Sequence, residues 1–290
     1  MKKIIVLGGG AIGSILAALL AKKYNVILVG RKDHVGMINN HGLQVSGQIN
    51  EKFYLKAETT IKAIAQQTII LLTVKAHETK DAILGIKDKI RKDTVIVCIQ
   101  NGLGSKEIIR ELTDCKVIEA TTLISSNFLE PGKVEVTSLG KTVIPEEEKE
   151  IIKIFMKTSI PLQTTSNINA EIWKKLTVNC VINGLGSILQ VKNNMLQSAY
   201  LKDTKEAIIK ECIAVAEKEG VILQKSLFES IDTFIQSSTN INSTLQDLRK
   251  HKSTEIDFLN GAIVKLGKKH NISTPVNRTI WNLIKASESL

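Results

Sequence analysis

Lys175, Asn179 and Asn183 follow one another at intervals of four in the stretch EIWKKLTVNCVINGLGS, Glu171 to Ser187. On a helix that interval stacks side chains turn above turn, so one ammonium and two amides share a single stripe. An ammonium can stabilise negative charge developing on an oxygen and then release a proton to it. Amides can hold a hydroxyl or a carboxylate without competing for that proton. The plainer reading is a polar strip facing water. Against it, Trp173, Leu176, Val178, Val181 and Ile182 take up most of the remaining circumference, so the stripe is expected to face a cleft. Lys174, turned about 100° from its neighbour, is the control and should lie in solvent.

Other residues suited to chemistry carry plain alternatives. Ser243 in NSTLQD stands three before Gln246, which is also the spacing of a capping box. Glu255 in STEID falls in the first turn of an expected helix, where the macrodipole favours a carboxylate. Lys75 after LLTV and Asn101 in QNG lie just past the carboxyl ends of expected parallel strands, the place where such sheets bind ligands. They also read as a helix-entry lysine and a turn Asn-Gly. Cys98, Cys115, Cys180 and Cys212 form no C-x-x-C pair and sit in contexts of strand or helix interior. They are expected to be reduced thiols of a cytoplasmic protein. The five histidines show no H-x-x-x-H or mixed Cys/His spacing, so no metal site is expected.

The elements that would position these groups begin with KKIIVLGGGAIGSILAALLAKKYNVILVGR, a strand, glycine turn, helix and second strand within about thirty residues. Gly8 permits a tight turn, Gly10 leaves room for a pyrophosphate against the backbone, and Gly13 lets helix and strand approach. The helix amides would then face the phosphates. Where an NAD site offers Asp or Glu after the second strand, this chain offers Arg31 and Lys32 first. A guanidinium suits the 2′-phosphate of NADP, although Asp33 keeps NAD open. The uncharged run from Ile4 to Ala21 behind MKK imitates a signal peptide or membrane span. Glycines interrupt it, and the strand-like NVILVG follows at once. A strand, turn and helix is therefore expected, with no membrane association.

The runs TIILLTV, TVIVCIQ and KVIEATTL alternate with helical stretches, which implies a parallel sheet covered on both faces. After IPLQTTSN, Ile160 to Asn167, helical periodicity takes over. Helices are expected at about Ala170 to Leu189, Leu201 to Glu219, Ser226 to Gln236, Glu255 to Lys269 and after Pro275, with Gly220 as a stop. Two domains, 1–166 and 167–290, suit a chain of 290 residues. A hydrophobic content of 43% with 23% charged residues excludes disorder. The net charge of +10 and pI near 9.3 raise the question of nucleic acid, but the lysines are scattered and aromatics are only 4%. No nucleic-acid partner is expected; the surplus reads as solvated surface that also attracts small anions.

Together these pieces resemble the ketopantoate reductase (2-dehydropantoate 2-reductase) family. GGGAIG, Arg31, TVKA with Lys75, QNG with Asn101, KLTVNCVIN with Lys175, STLQD with Ser243, TEID with Glu255 and TPVN carry the likeness in order along nearly the whole chain. The resemblance implies an α/β Rossmann domain, doubly wound on a mainly parallel sheet, and then an all-α domain of the 6-phosphogluconate dehydrogenase C-terminal type, with the active site between them. It implies transfer of hydride from NADPH to the C2 ketone of 2-dehydropantoate, giving (R)-pantoate for pantothenate and coenzyme A. Lys175 would be the proton donor with Glu255 beside it. Asn101, Asn179, Asn183, Asn193 and Ser243 would hold the 2-keto acid. Gly8, Gly9, Gly10, Ala11, Ile12 and Gly13, with Arg31, Lys75, Asn101, Ser125 and Glu255, would meet the NADP cofactor. Two departures stand out: Gly184 follows Asn183 where relatives commonly have proline, so the helix need not break there, and Gly9 stands where alanine is usual. A reductase of another 2-keto acid or opine-type substrate, and a non-catalytic NADP-binding sensor, are the alternatives. The sequence does not fix an oligomeric state and leaves a homodimer open.

Overall fold

Ile4 to Leu7, Val26 to Val29, Ile69 to Leu72 and Ile96 to Cys98 are buried along their whole length, as strands covered on both faces must be. A computed structural model describes residues 3–224 and 226–290; the first two letters of MKK lie outside the described residues. In chain order the strands are β1 (Lys3–Leu7), β2 (Asn25–Val29), β3 (Leu43–Gly47), β4 (Glu51–Phe53), β5 (Lys56–Glu58), β6 (Ile69–Leu72), β7 (Val95–Cys98), β8 (Lys116–Glu119), β9 (Thr121–Thr122), β10 (Ser125–Glu130), β11 (Lys133–Ser138), β12 (Thr142–Pro145) and β13 (Leu162–Thr165). Among the described residues, six of them form one parallel sheet in the order β5-β2-β1-β6-β7-β8. Alternation does the rest. Val6, Leu28, Leu71 and Val97 point to one face, where Leu16 and Leu20 of α1 (Ala11–Ala21) join the same core. Ile5, Ile27, Ile70 and Ile96 point to the other, against Ile83 of α3 (Thr79–Leu84) and Ile109 of α4 (Ser105–Leu112). Helix α2 (Lys32–His41) follows β2. Strand order reverses beside β1, which makes the glycine turn a topological switch point.

Beyond that sheet lie further strands, several of them antiparallel, that the apolar runs do not announce. The sheet β10-β11-β3-β4 pairs β10 with β11 and β3 with β4 antiparallel, while β12 runs parallel to β13 and antiparallel to β9. Of these strands β3 and β11 bury alternate residues, Leu43 and Val45 in the one and Val134 and Val136 in the other. They lack the continuous apolar runs by which the parallel strands are recognised. Helix α5 (Lys149–Met156) adds Ile151 and Phe155 to the first core.

The chain divides into two units. The first runs to Gln100 and resumes over Ser105–Ile168; the second takes Asn101–Gly104 and Asn169–Leu290. The second contains α6 (Ile168–Ile188, from its second residue), α7 (Lys202–Lys218), α8 (Leu227–Ser237), α9 (Ser243–Leu248), α10 (Asn260–Lys269) and α11 (Pro275–Ser287). Its core joins Trp173, Leu176 and Val181 of α6 to Ile208, Ile263, Ile280 and Ile284. Gly220, at φ +77°, ends α7 as expected, and Pro275 opens α11. One expected helix is broken. Instead of running from Glu255 to Lys269, the chain makes a 3-10 turn at Ile256–Phe258, passes through Leu259 at φ −106°, ψ −106°, and becomes helical at Asn260. The Phe258 carbonyl accepts the Leu103 amide at 3.2 Å, so it is committed elsewhere. Glu255 is therefore not in the first turn of an α-helix. All four cysteines are free and buried; Cys115 lies in a bend before β8, not inside an element. Among the described residues no helix is long and apolar enough to cross a membrane.

His34, which sequence reasoning passed over, ties the first unit together beneath the glycine turn. Its Nδ1 accepts the Gly132 amide at 2.9 Å, so Nε2 carries the proton and donates to Ser14 Oγ at 2.9 Å. Burial lowers its pKa to about 4. An unfolded histidine titrates near 6.5, so between these values the unfolded chain binds the extra proton. The stabilisation is complete above pH 6.5 and drains as pH falls toward 4. The loss is roughly 3 kcal/mol at most. Urea unfolding at about pH 7 and about pH 4.5 should show a larger drop in stability for the native chain than for His34→Gln. Equal drops would remove His34 as the cause.

Candidate functional site

Three glycines of the turn after β1 are required by what surrounds them. Gly8 has φ +128°, and a Cβ there would lie 2.4 Å from the Val74 backbone nitrogen. A Cβ on Gly13 would lie 1.9 Å from the Gly8 carbonyl oxygen, which also accepts from Thr73 Oγ1 at 2.9 Å. A Cβ on Gly9 would come within 2.9 Å of Gly30 Cα, so the usual alanine there would press on the second strand. Gly10 differs: it is exposed, and nothing lies within 4 Å of where its Cβ would be. It is also the N-cap of α1, with no side chain capping the helix and no acidic residue in the first turn. The amides of Ala11, Ile12 and Gly13 thus open a helix end with clear space in front of it, a fit for a diphosphate.

Arg31 and Lys75 flank this turn, because β2 and β6 lie on either side of β1. Arg31 is exposed at the head of α2, its guanidinium 3.9 Å from Glu78. Lys75 precedes the 3-10 turn Ala76–Glu78 and donates its amide to Glu78 Oε2 at 3.2 Å. Ser125 opens β10, in the four-stranded sheet and not in the parallel one.

In the second unit the stripe lies on α6. Asn183 is buried, Lys175 and Asn179 are partly buried, and Lys174 is exposed, as the control requires. Asn183 Nδ2 donates to Ser243 Oγ at 3.3 Å. The expected capping box does not form. Asn242, one residue earlier, is the cap: its Oδ1 accepts the Leu245 amide at 2.9 Å and the Ser187 hydroxyl at 3.1 Å, and its Nδ2 donates to the Ile182 carbonyl. Gln246 turns to the Ile241 carbonyl. With the helix end already satisfied, the Ser243 hydroxyl is turned to Asn183.

Glu255 is 5% exposed and accepts from Asn101 Nδ2 at 3.2 Å. Asn101 thus sits where the chain bends at Gly102, as its turn reading has it, with its side chain on Glu255. Gly102, at φ +80° with the Phe258 carbonyl oxygen 2.3 Å from where a Cβ would be, makes the turn that holds it there. Burial lowers the Lys175 pKa to about 8, partly opposed by the negative charge of Glu255. Asn193 heads the 3-10 turn Asn193–Gln197; its Nδ2 donates to Ser238 Oγ at 3.0 Å, and its buried Oδ1 has no hydrogen-bond partner. It is anchored to the segment leading into Ser243 through its amide and the Asn240 carbonyl.

Two groups of supporting residues escaped the sequence reading. Asn242 had a signal, since Asn is as good a helix cap as Ser. The network around TPVN had none: Glu211 accepts the amides of Val276 and Asn277, Asn277 Oδ1 accepts from Asn260 Nδ2, and that same nitrogen donates to the Cys180 carbonyl on α6. Helix α6 continues unbroken through Gly184 and Gly186. Here the glycines serve contact: a Cβ on Gly184 would lie 2.5 Å from Ile280 Cγ2, and one on Gly186 2.6 Å from Asn242 Nδ2.

Comparison with known proteins agrees across both units. Residues 4–149 match the family model described as Ketopantoate reductase PanE/ApbA, and residues 167–288 its C-terminal companion. The 2-dehydropantoate 2-reductase of Pyrococcus horikoshii is 38% identical over 99% of this chain and 98% of its own. A PanE/ApbA family ketopantoate reductase from Ralstonia eutropha JMP134 superposes with TM-score 0.93 at 29% identity, over 99% of both chains. D-mandelate dehydrogenase, solved with NADH and anilino(oxo)acetate, gives 0.94 at 27% identity, again over 99% of both.

Gly184→Ala separates helix propensity from packing. Propensity alone would stabilise the chain by up to about 1 kcal/mol. The contact with Ile280 should reverse that and cost about 1–3 kcal/mol, with partial recovery on adding Ile280→Val. Chemical unfolding of the variants measures both; a stabilised Gly184→Ala would contradict the close approach of α6 and α11.

Proposed function

The chain belongs to the ketopantoate reductase PanE/ApbA family, and on that premise we propose that it reduces 2-dehydropantoate to (R)-pantoate with NADPH, the step that serves pantothenate and coenzyme A synthesis. The observation that carries this reading is Lys175 with its lowered pKa, beside the buried Glu255, on the same helix face as two amides. NADPH supplies the hydride. The amides of Ala11, Ile12 and Gly13 take its diphosphate, with Arg31 and Lys75 toward the 2′-phosphate. Asn179, Asn183 and Ser243 orient the keto acid by hydrogen bonds to its hydroxyl and carboxylate.

Hydride addition leaves negative charge on the former ketone oxygen. The Lys175 ammonium stabilises that charge and then protonates it. A solvated lysine is a reluctant donor at neutral pH; one with a pKa of about 8 is still mostly charged there and gives its proton more readily. Glu255 keeps the pKa from falling further, and Asn101 holds the carboxylate in place. A second reading, reduction of a different 2-keto acid, is favoured by the likeness to D-mandelate dehydrogenase. Initial rates with 2-dehydropantoate and a panel of 2-keto acids, followed by loss of reduced-nicotinamide absorbance, decide between them. No oxidation of NADPH with any of them would leave only a cofactor-binding protein.

Lys175→Ala should lower kcat at least about a hundredfold while NADPH affinity is retained; near-normal turnover would take Lys175 out of the chemistry. Because the protonated amine is the active form, kcat should decline as pH rises through about 8. Glu255→Gln removes the charge that raises this pKa, so the decline should move to lower pH. Movement to higher pH would reverse the assigned roles.

A further inference from the structure

We infer that Glu78 sets the balance between the two nicotinamide cofactors, weakening the preference for NADPH that Arg31 would otherwise impose. The inference rests on the reading of Arg31 as the partner of the 2′-phosphate. Two ties fix the carboxylate. Oε2 accepts the Lys75 amide at 3.2 Å, and Oε1 lies 3.9 Å from the Arg31 guanidinium. An exposed ion pair alone is worth little and is easily exchanged. The backbone tie is what matters, because it keeps the carboxylate at the edge of the turn whether or not Arg31 stays with it.

A phosphate brought to Arg31 must displace Glu78 as its partner and remain close to that fixed negative charge. A ribose bearing a free 2′-hydroxyl meets no such repulsion and can donate a hydrogen bond to the same carboxylate, the role an acidic residue plays in NAD sites. Glu78 thus offers an acidic group from the other side of β1, where the end of β2 presents Arg31 and Lys32 before Asp33. It escaped the sequence reading because it follows β6, far in sequence from the position where such a residue is sought.

Glu78→Gln removes the charge and keeps an oxygen to accept the Lys75 amide. Dissociation constants for NADPH and NADH, from quenching of protein fluorescence, are to be measured on the native chain, Glu78→Gln and Arg31→Ala. Glu78→Gln should bind NADPH about three- to tenfold tighter and NADH equally or more weakly, and the gain should shrink at high salt. An unchanged ratio of the two constants in Glu78→Gln, with NADPH selectively weakened in Arg31→Ala, overturns the role of Glu78 and leaves the Arg31 reading standing. Equal weakening of both cofactors in Arg31→Ala overturns that reading and the inference with it.

Discussion

An ammonium group withdrawn from water beside a buried carboxylate is the constraint around which the helical unit is built. Removing either charge from solvent costs several kcal/mol, and their attraction returns that only when geometry is held. Lys175 and Glu255 are far apart in sequence, so holding them is a task for the fold. Helix α6 fixes one, the 3-10 turn before α10 fixes the other, and Asn101 binds the carboxylate from a third segment. The result is an amine whose pKa lies nearer neutrality than an ordinary lysine's.

The same unit shows how an apolar helix carries a polar stripe without disorder. Asn183 is buried and satisfied through Ser243, which is free to serve because Asn242 has taken over the capping. Behind α6, the chain of hydrogen bonds from Glu211 through Asn277 and Asn260 reaches the Cys180 carbonyl. The two bonds made by Asn260 are buried, where an unmade bond costs more than a made one gains. The arrangement therefore has few alternatives.

Much of this was legible in the chain itself. The parallel sheet announced itself through uninterrupted apolar strands, and the turn through glycines whose spacing matches the contacts they now make. The stripe was visible as an interval of four, and exposed Lys174 bears out the orientation. What stayed hidden depended on partners distant in sequence. The capping role went to Ser243 on spacing, whereas packing of Asn242 against Ile182 and Ser187 assigns it to the neighbour. Glu255 looked like a helix-start acid because nothing local revealed that the Phe258 carbonyl would turn to Leu103. Gly184 left the helix free to continue, as it does, but nothing local showed that it is also a point of contact with Ile280. His34 gave no sign, since a lone histidine acquires meaning only from Ser14 and Gly132.

The segment Asn101–Gly104 groups with the helical unit although it is threaded between β7 and α4 of the other. The polypeptide therefore leaves the first unit, returns, and leaves again. A cut at the sequence boundary would produce a helical fragment without the asparagine that secures its own carboxylate. A helical half transplanted between relatives would take from its new host the loop that supplies the hydrogen-bond partner of Glu255.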